Sequence, residues 1–101
     1  MFRYSVFYPG GDGAAFDHDY YRDVHIPLAT QIWNPVRVEI DKGVDGPYVA
    51  VAHFTFASHE ALTTALAGEG TARIRADIPN YTAIAAIRQV SEIVAGPALG
   101  H

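Results

Sequence analysis

Of the five histidines in this 101-residue chain, His25 is placed best for chemistry. Imidazole changes charge between about pH 5 and 8, which suits a general acid or base. Tyr21, His25, Leu28 and Ile32 follow one another at steps of four, three and four, so they share one helical face. A phenol one turn before a histidine on an apolar stripe can hydrogen-bond to it or to a ligand. The same spacing also suits a buried histidine that caps a broken helical turn. Pro27 breaks that turn, because it has no N–H for the Asp23 carbonyl, and a kink near His25 is expected.

His53 is the second candidate. It lies mid-run with Val49, Val51 and Thr55 and faces either a cleft or a subunit interface. His18 and His59 lie near helix starts and His101 at the chain end, positions that suit solvent. Tyr4, Tyr8, Tyr48 and Tyr81 offer apolar bodies with polar tips, which suits a pocket for an aromatic or polyketide-like ligand. Phe54 is grouped with them, although it and Trp33 suit an ordinary core better. Asp17, Asp19 and Asp23 with His18 and His25 are metal-ligand types. No second cluster completes a site, and acids early in a helix suit its dipole, so no metal is expected. Gly10-Gly11-Asp12-Gly13 lacks the spacing of a nucleotide loop, and the residues carry no cofactor fingerprint.

These residues need a scaffold, and the patterning supplies one. Phe2 to Tyr8 alternates as a strand and stops at Pro9-Gly10-Gly11. Phe16 to Trp33 reads as a helix with Asp17 as N-cap and Phe16 and Tyr21 as a hydrophobic staple. Pro35 to Lys42 alternates with one charged side. Tyr48 to Phe56 alternates with no charge on either side, so both its faces are expected to be covered; one face reads Tyr48, Ala50, Ala52, Phe54, Phe56. Ser58 caps a second helix, expected to end at Gly68 and Gly70, with a further turn over Thr71 to Asp77 before Pro79. The last strand falls within Ala83 to Ala95. The order β-α-β-β-α-β is the split βαβ, ferredoxin-like arrangement: α+β, with a four-stranded antiparallel sheet and two helices on one face. One domain spans residues 1–95, and 96–101 read as a flexible tail.

Composition narrows the classes further. The net charge is −4 and a single lysine, Lys42, stands among seven basic residues. Without a basic patch, nucleic-acid binding is disfavoured. The absence of cysteine removes disulfides, thiolate chemistry and thiolate metal sites, and fits the cytoplasm. No apolar run approaches the ~18 residues of a membrane span, and no signal peptide is evident. Half of the residues are hydrophobic, more than a core of this size needs. With helices on one sheet face, the other face is expected to pack against a second copy, giving a homodimer.

Tyr8-Pro9, then Phe16-Asp17-His18-Asp19-Tyr20-Tyr21 and His25-Ile26-Pro27-Leu28, resembles the EthD family, named for ethyl tert-butyl ether degradation, of the dimeric α/β-barrel superfamily. Asp77-Ile78-Pro79-Asn80-Tyr81-Thr82 resembles the family's approach to its last strand. The resemblance spans nearly the whole chain and implies a dimer with a ligand cleft between sheet and helices. Its wider relatives include isomerases, cyclases, monooxygenases and haem-binding enzymes. The resulting expectation is a protein for a small, mostly apolar metabolite. Its leading form is a cofactor-independent isomerase, cyclase or dehydratase with His25 as acid/base, assisted by Tyr21. The alternatives are a non-catalytic accessory protein of a catabolic oxidation system, or a haem-binding or monooxygenase-type protein with His25 or His53 as ligand.

Overall fold

Alternation along the chain becomes four strands: β1 (Phe2–Pro9), β2 (Arg37–Lys42), β3 (Tyr48–Phe56) and β4 (Ile87–Glu92). A computed structural model describes residues 1–11 and 13–96; of the expected tail, all but Gly96 lies outside the described residues. The strands form one antiparallel sheet in the order β2-β3-β1-β4. This is the expected ferredoxin-like order, with both helical segments between strands that are not adjacent in the sheet.

Register decides which residues face the helices. Tyr4 lies opposite Phe54 and Val90, and Val6 opposite Ala52 and Arg88. The helix side therefore carries Tyr4, Val6, Tyr8, Ala50, Ala52, Phe54 and Phe56, all buried. The opposite side carries Arg3, Ser5 and Phe7 from β1, Val51, His53 and Thr55 from β3, and Arg37, Glu39 and Asp41 from β2. Phe54 and Phe56 thus belong to the core, and the open face mixes apolar with charged residues.

One strand position departs from simple alternation. The register shifts between Tyr8 and Pro9, so Pro9 faces Tyr48 and Val49 is an extra residue. Such a bulge reverses the parity of every residue beyond it. Tyr48 is therefore not on the face of Phe54, as period-2 reading placed it; its ring lies 5.1 Å from that of Phe7 on the open side.

The first helical path runs through α1 (His18–Tyr20), a π-helical turn (Tyr21–His25) and α2 (Ile26–Trp33). Asp17 caps it as expected, accepting from the Tyr20 N–H at 3.1 Å. The Phe16–Tyr21 staple forms, with rings 4.9 Å apart. Pro27 leaves no sharp break. Instead the hydrogen-bond frame widens before it, and the Ile26 N–H bonds to the Tyr21 carbonyl, a step of five residues. α2 ends at Asn34 in the left-handed conformation (φ 50°), its N–H bonded to Thr30 O at 2.9 Å.

Ser58 caps α3 (His59–Ala67) as expected, accepting from the Ala61 N–H at 3.0 Å. Gly70 does not end a helix but begins another, α4 (Gly70–Ala76), followed by a 3-10 turn at Ile78–Asn80. A side chain on Gly70 would collide with Ile32, so glycine lets α4 lie directly on α2. That close approach sets where the end of α4 meets the first helical path. No helix among the described residues is long and apolar enough to cross a membrane.

Candidate functional site

The π-helical turn opens and closes on Tyr21 and His25, the two buried residues among its five. Their rings stack with centroids 5.5 Å apart and planes within 14°. The widened turn therefore keeps both side chains on the inward face while its middle residues stay in solvent.

The partner of His25 comes from across the molecule. Asp77, at the C-terminal end of α4, lies with Oδ2 2.9 Å from His25 Nδ1. Its other oxygen, Oδ1, accepts from the Tyr20 hydroxyl at 2.7 Å and from Asn80 Nδ2 at 2.9 Å. Burial pushes the His25 imidazole below its ordinary pKa, and Asp77 pulls it back only in part. Burial also acts on Asp77 in the raising direction, but hydrogen bonds from Tyr20, Asn80 and His25 hold its carboxyl below the usual range. At neutral pH the pair is a neutral imidazole donating Nδ1–H to a carboxylate. Nε2 is then the free, basic nitrogen, and it makes no hydrogen bond among the described residues.

His25 forms one wall of a cleft between sheet and helices. Tyr4, Val6, Tyr8 and Phe54 form its sheet side, and Tyr21 and Trp33 lie with His25 on the helical side. Ile74, Arg75 and Ile78, from α4 and the turn after it, and Arg88 of β4 complete the lining. Free space inside is about 30 Å³. That holds one or two waters, so a metabolite enters only as the surrounding rings move apart.

Tyr81 stands behind this wall. An antiparallel bridge joins Phe16 to Thr82, and the Asp17 N–H donates to the Tyr81 carbonyl at 2.9 Å. These bonds hold the Tyr81 ring 4.5 Å from that of His25 and its hydroxyl 2.6 Å from the Tyr8 hydroxyl. Tyr8, Phe16, Tyr21 and Tyr81 meet mostly edge to face, the arrangement aromatic quadrupoles favour. Burial pushes the Tyr21 phenol far up and, with the bond to Tyr8, the Tyr81 phenol as well. Burial also raises Tyr8, against the opposing bond from Tyr81. All three stay protonated and can donate, but cannot act as bases near neutral pH.

The structure thus gathers Tyr4, Tyr8, Tyr21, His25 and Phe54 around the cleft, with Tyr81 in the layer behind. It separates His53 and Tyr48 from them. His53 lies on the open sheet face, its Nδ1 2.8 Å from Ser5 Oγ and its Nε2 3.5 Å from Asp41 Oδ2. Of the two faces open to His53 from the sequence, the cleft is excluded because strand parity sends odd-numbered β3 residues outward. Tyr48 is excluded by the bulge. No group of three or more metal-ligand side chains gathers among the described residues.

Sequence reading missed Asp77, Arg75 and Arg88. Asp77 had left a signal: it is an acid at the C-terminal end of a helix, where the dipole disfavours negative charge. It is also the N-cap of the 3-10 turn that follows, although its side chain makes no capping hydrogen bond there.

Comparison with known proteins places the chain in context. A family model described as EthD domain matches residues 9–85. An EthD-like protein from Ralstonia eutropha JMP134 is 35% identical, with 93% of this chain and 92% of that one aligned and a TM-score of 0.86. An ethyl tert-butyl ether degradation family protein from Bacillus halodurans C-125 is 16% identical over 93% of this chain and 99% of that one, with a TM-score of 0.74. SnoaB, a cofactor-independent oxygenase from Streptomyces nogalater, is 18% identical over 95% of this chain and 94% of that one, with a TM-score of 0.61. At those lower identities the likeness is one of fold. Among curated proteins, none matches this chain.

Proposed function

The chain belongs to the EthD family, and from that premise we propose that it binds a small, flat, mostly apolar metabolite in the cleft and catalyses proton transfer on it without a cofactor. The observation that carries this reading is the His25–Asp77 pair, 2.9 Å apart, with the remaining ring nitrogen unbonded among the described residues, in the wall of a cleft lined by aromatic rings. Asp77 fixes the tautomer, so Nε2 is ready to accept a proton from an activated C–H. The C–H electron pair passes to the adjacent carbonyl, giving an enolate, and His25 becomes an imidazolium that the Asp77 carboxylate stabilises. Return of the proton to a different carbon completes an isomerisation; transfer of the imidazolium proton to a β-hydroxyl, which leaves as water while the enolate collapses to a C=C bond conjugated with the carbonyl, completes a dehydration. Tyr4 and Tyr21 supply phenols that can donate to the enolate oxygen. The cofactor-independent activity named for SnoaB is compatible with this reading.

Proton transfer can be read before the natural substrate is known. Protein in D2O is incubated with a panel of unsaturated lactones and aromatic 1,3-diketones, and loss of the activated C–H signal is followed by 1H NMR. Exchange faster than buffer on at least one compound is expected, falling about 10²–10⁴-fold in His25→Gln. No protein-dependent exchange across the panel, or exchange unchanged in His25→Gln, overturns the catalytic reading.

The small free volume favours a second reading, that of a non-catalytic accessory protein whose cleft is normally closed by Tyr4, Trp33 and Phe54. Binding without exchange would single it out. Haem fits poorly, because a macrocycle beside His25 needs far more room than these rings leave; a Soret band on haem titration would reverse that judgement.

We also propose that a homodimer forms through the open sheet face. Support comes from the Phe7–Tyr48 ring pair and from Ile87, 52% exposed on the same face.

A further inference from the structure

Two arginines border the cleft, Arg75 near the end of α4 and Arg88 on β4. Both are exposed, and neither is in an ion pair among the described residues. Arg22 is held by Asp19 and Asp23, and Arg37 by Glu39; Arg3 and Arg73, like Arg75 and Arg88, are in no ion pair among the described residues, but neither of them lines the cleft. In a chain of net charge −4, carboxylates are in excess. What sets Arg75 and Arg88 apart is that both line one apolar cleft, with no carboxylate partner among the described residues.

The remaining walls are aromatic. Tyr4, Trp33 and Phe54 are flat apolar surfaces, with Trp33 set edge-on to both of the others at 5.6 and 5.0 Å. The Trp33 N–H is already bonded to Thr71 Oγ1 at 2.9 Å, so it offers the ligand a ring and not a donor. The Arg88 charge also reaches into the cleft: it draws the Tyr8 phenol downward, against the larger upward push of burial. The site thus combines apolar rings, a basic imidazole at His25 and two exposed guanidiniums in its lining.

We infer that the ligand is a planar carboxylic acid, bound with its carboxylate between Arg75 and Arg88 and its ring or unsaturated chain against Tyr4, Trp33 and Phe54. Guanidinium matches carboxylate in planar, two-bond geometry, which fixes the direction of a flat ligand as well as its charge. That direction turns the far end of the ligand toward His25. The inference rests on the cleft being the ligand site and adds the chemical class of the ligand and the residues that select it.

Trp33 is the only tryptophan, so its fluorescence reports the cleft directly. The full chain is titrated with benzoate and, separately, with benzamide, a neutral isostere, and the His25 ring signals are followed by NMR in parallel. Benzoate should perturb both probes and bind at least about tenfold more tightly than benzamide, in line with charge-assisted hydrogen bonds. Arg75→Gln and Arg88→Gln should each weaken benzoate by about tenfold and leave benzamide unchanged. Both positions are exposed, so these variants should fold normally, and far-ultraviolet dichroism checks that they do. Equal binding of acid and amide, or a preference that survives in the double variant, overturns the carboxylate clamp and leaves the cleft as a ligand site. Failure of both probes to perturb Trp33 or His25 overturns the clamp together with the cleft reading on which it stands.

Discussion

At the scale of single residues, the chemistry turns on how His25 and Asp77 share one proton. Burial lowers His25, while Asp77 supports its charged form. Asp77→Asn should therefore lower the His25 pKa further, and the shift is read by NMR titration of the imidazole carbons; a rise would contradict the assigned balance. The same pair makes stability depend on pH. Both groups titrate lower in the folded chain than in the unfolded one. The unfolded chain then binds more protons, so their contribution is fully present at high pH and is lost on acidification. For His25 the loss begins near its unfolded value of about 6.5, and for Asp77 near about 3.9. The urea midpoint should fall between pH 7 and 5, and fall less in His25→Gln; the residual slope includes His18, which burial also lowers. A midpoint that rises on acidification would refute the sign.

At the scale of elements, two irregularities place these side chains. The π-helical turn accommodates Pro27 and keeps Tyr21 and His25 inward together. Gly70 lets α4 settle on α2, which brings Asp77 to His25. Gly70→Ala should destabilise the fold by about 1–3 kcal/mol through overpacking against Ile32. It should also shift the His25 ring signals, because Asp77 closes the same helix. Denaturation and NMR of one variant test both parts, and a neutral effect on each would show that α4 approaches α2 for another reason. The alternating pattern made β1, β2 and β3 legible, since period 2 depends only on the order of residues, while β4 was legible only from its β-branched residues. The bulge at Val49 was not legible, because it arises from how β1 and β3 pair, and it carried Tyr48 to the other face.

At the scale of the whole molecule, the sheet has one face under helices and one open. The open face is not the uniform apolar surface that an excess of hydrophobic residues suggested: Phe7, Tyr48, Val51 and Ile87 sit among Arg3, Arg37, Glu39 and Asp41. Mixed faces of this kind still suit pairing of two copies, because charges at one end can meet opposite charges across a two-fold axis. Light scattering at micromolar concentration should give a dimer, and Ile87→Glu should shift it to monomer without loss of secondary structure. A monomer in the unaltered chain would remove the face as a self-association surface.

The sequence by itself determined the strands, the caps at Asp17 and Ser58, the Phe16–Tyr21 staple, and the shared face of Tyr21 and His25. Each of these depends on residues a few positions apart, where backbone geometry leaves little choice. Asp77 lies 52 positions from His25, and Arg75 and Arg88 meet the same cleft from a helix and an edge strand. Which of several distant polar residues converge is set by strand register, by the bulge, and by how closely α4 can pack. Only the tertiary structure decided those, and with them which histidine has a carboxylate partner and which merely faces outward.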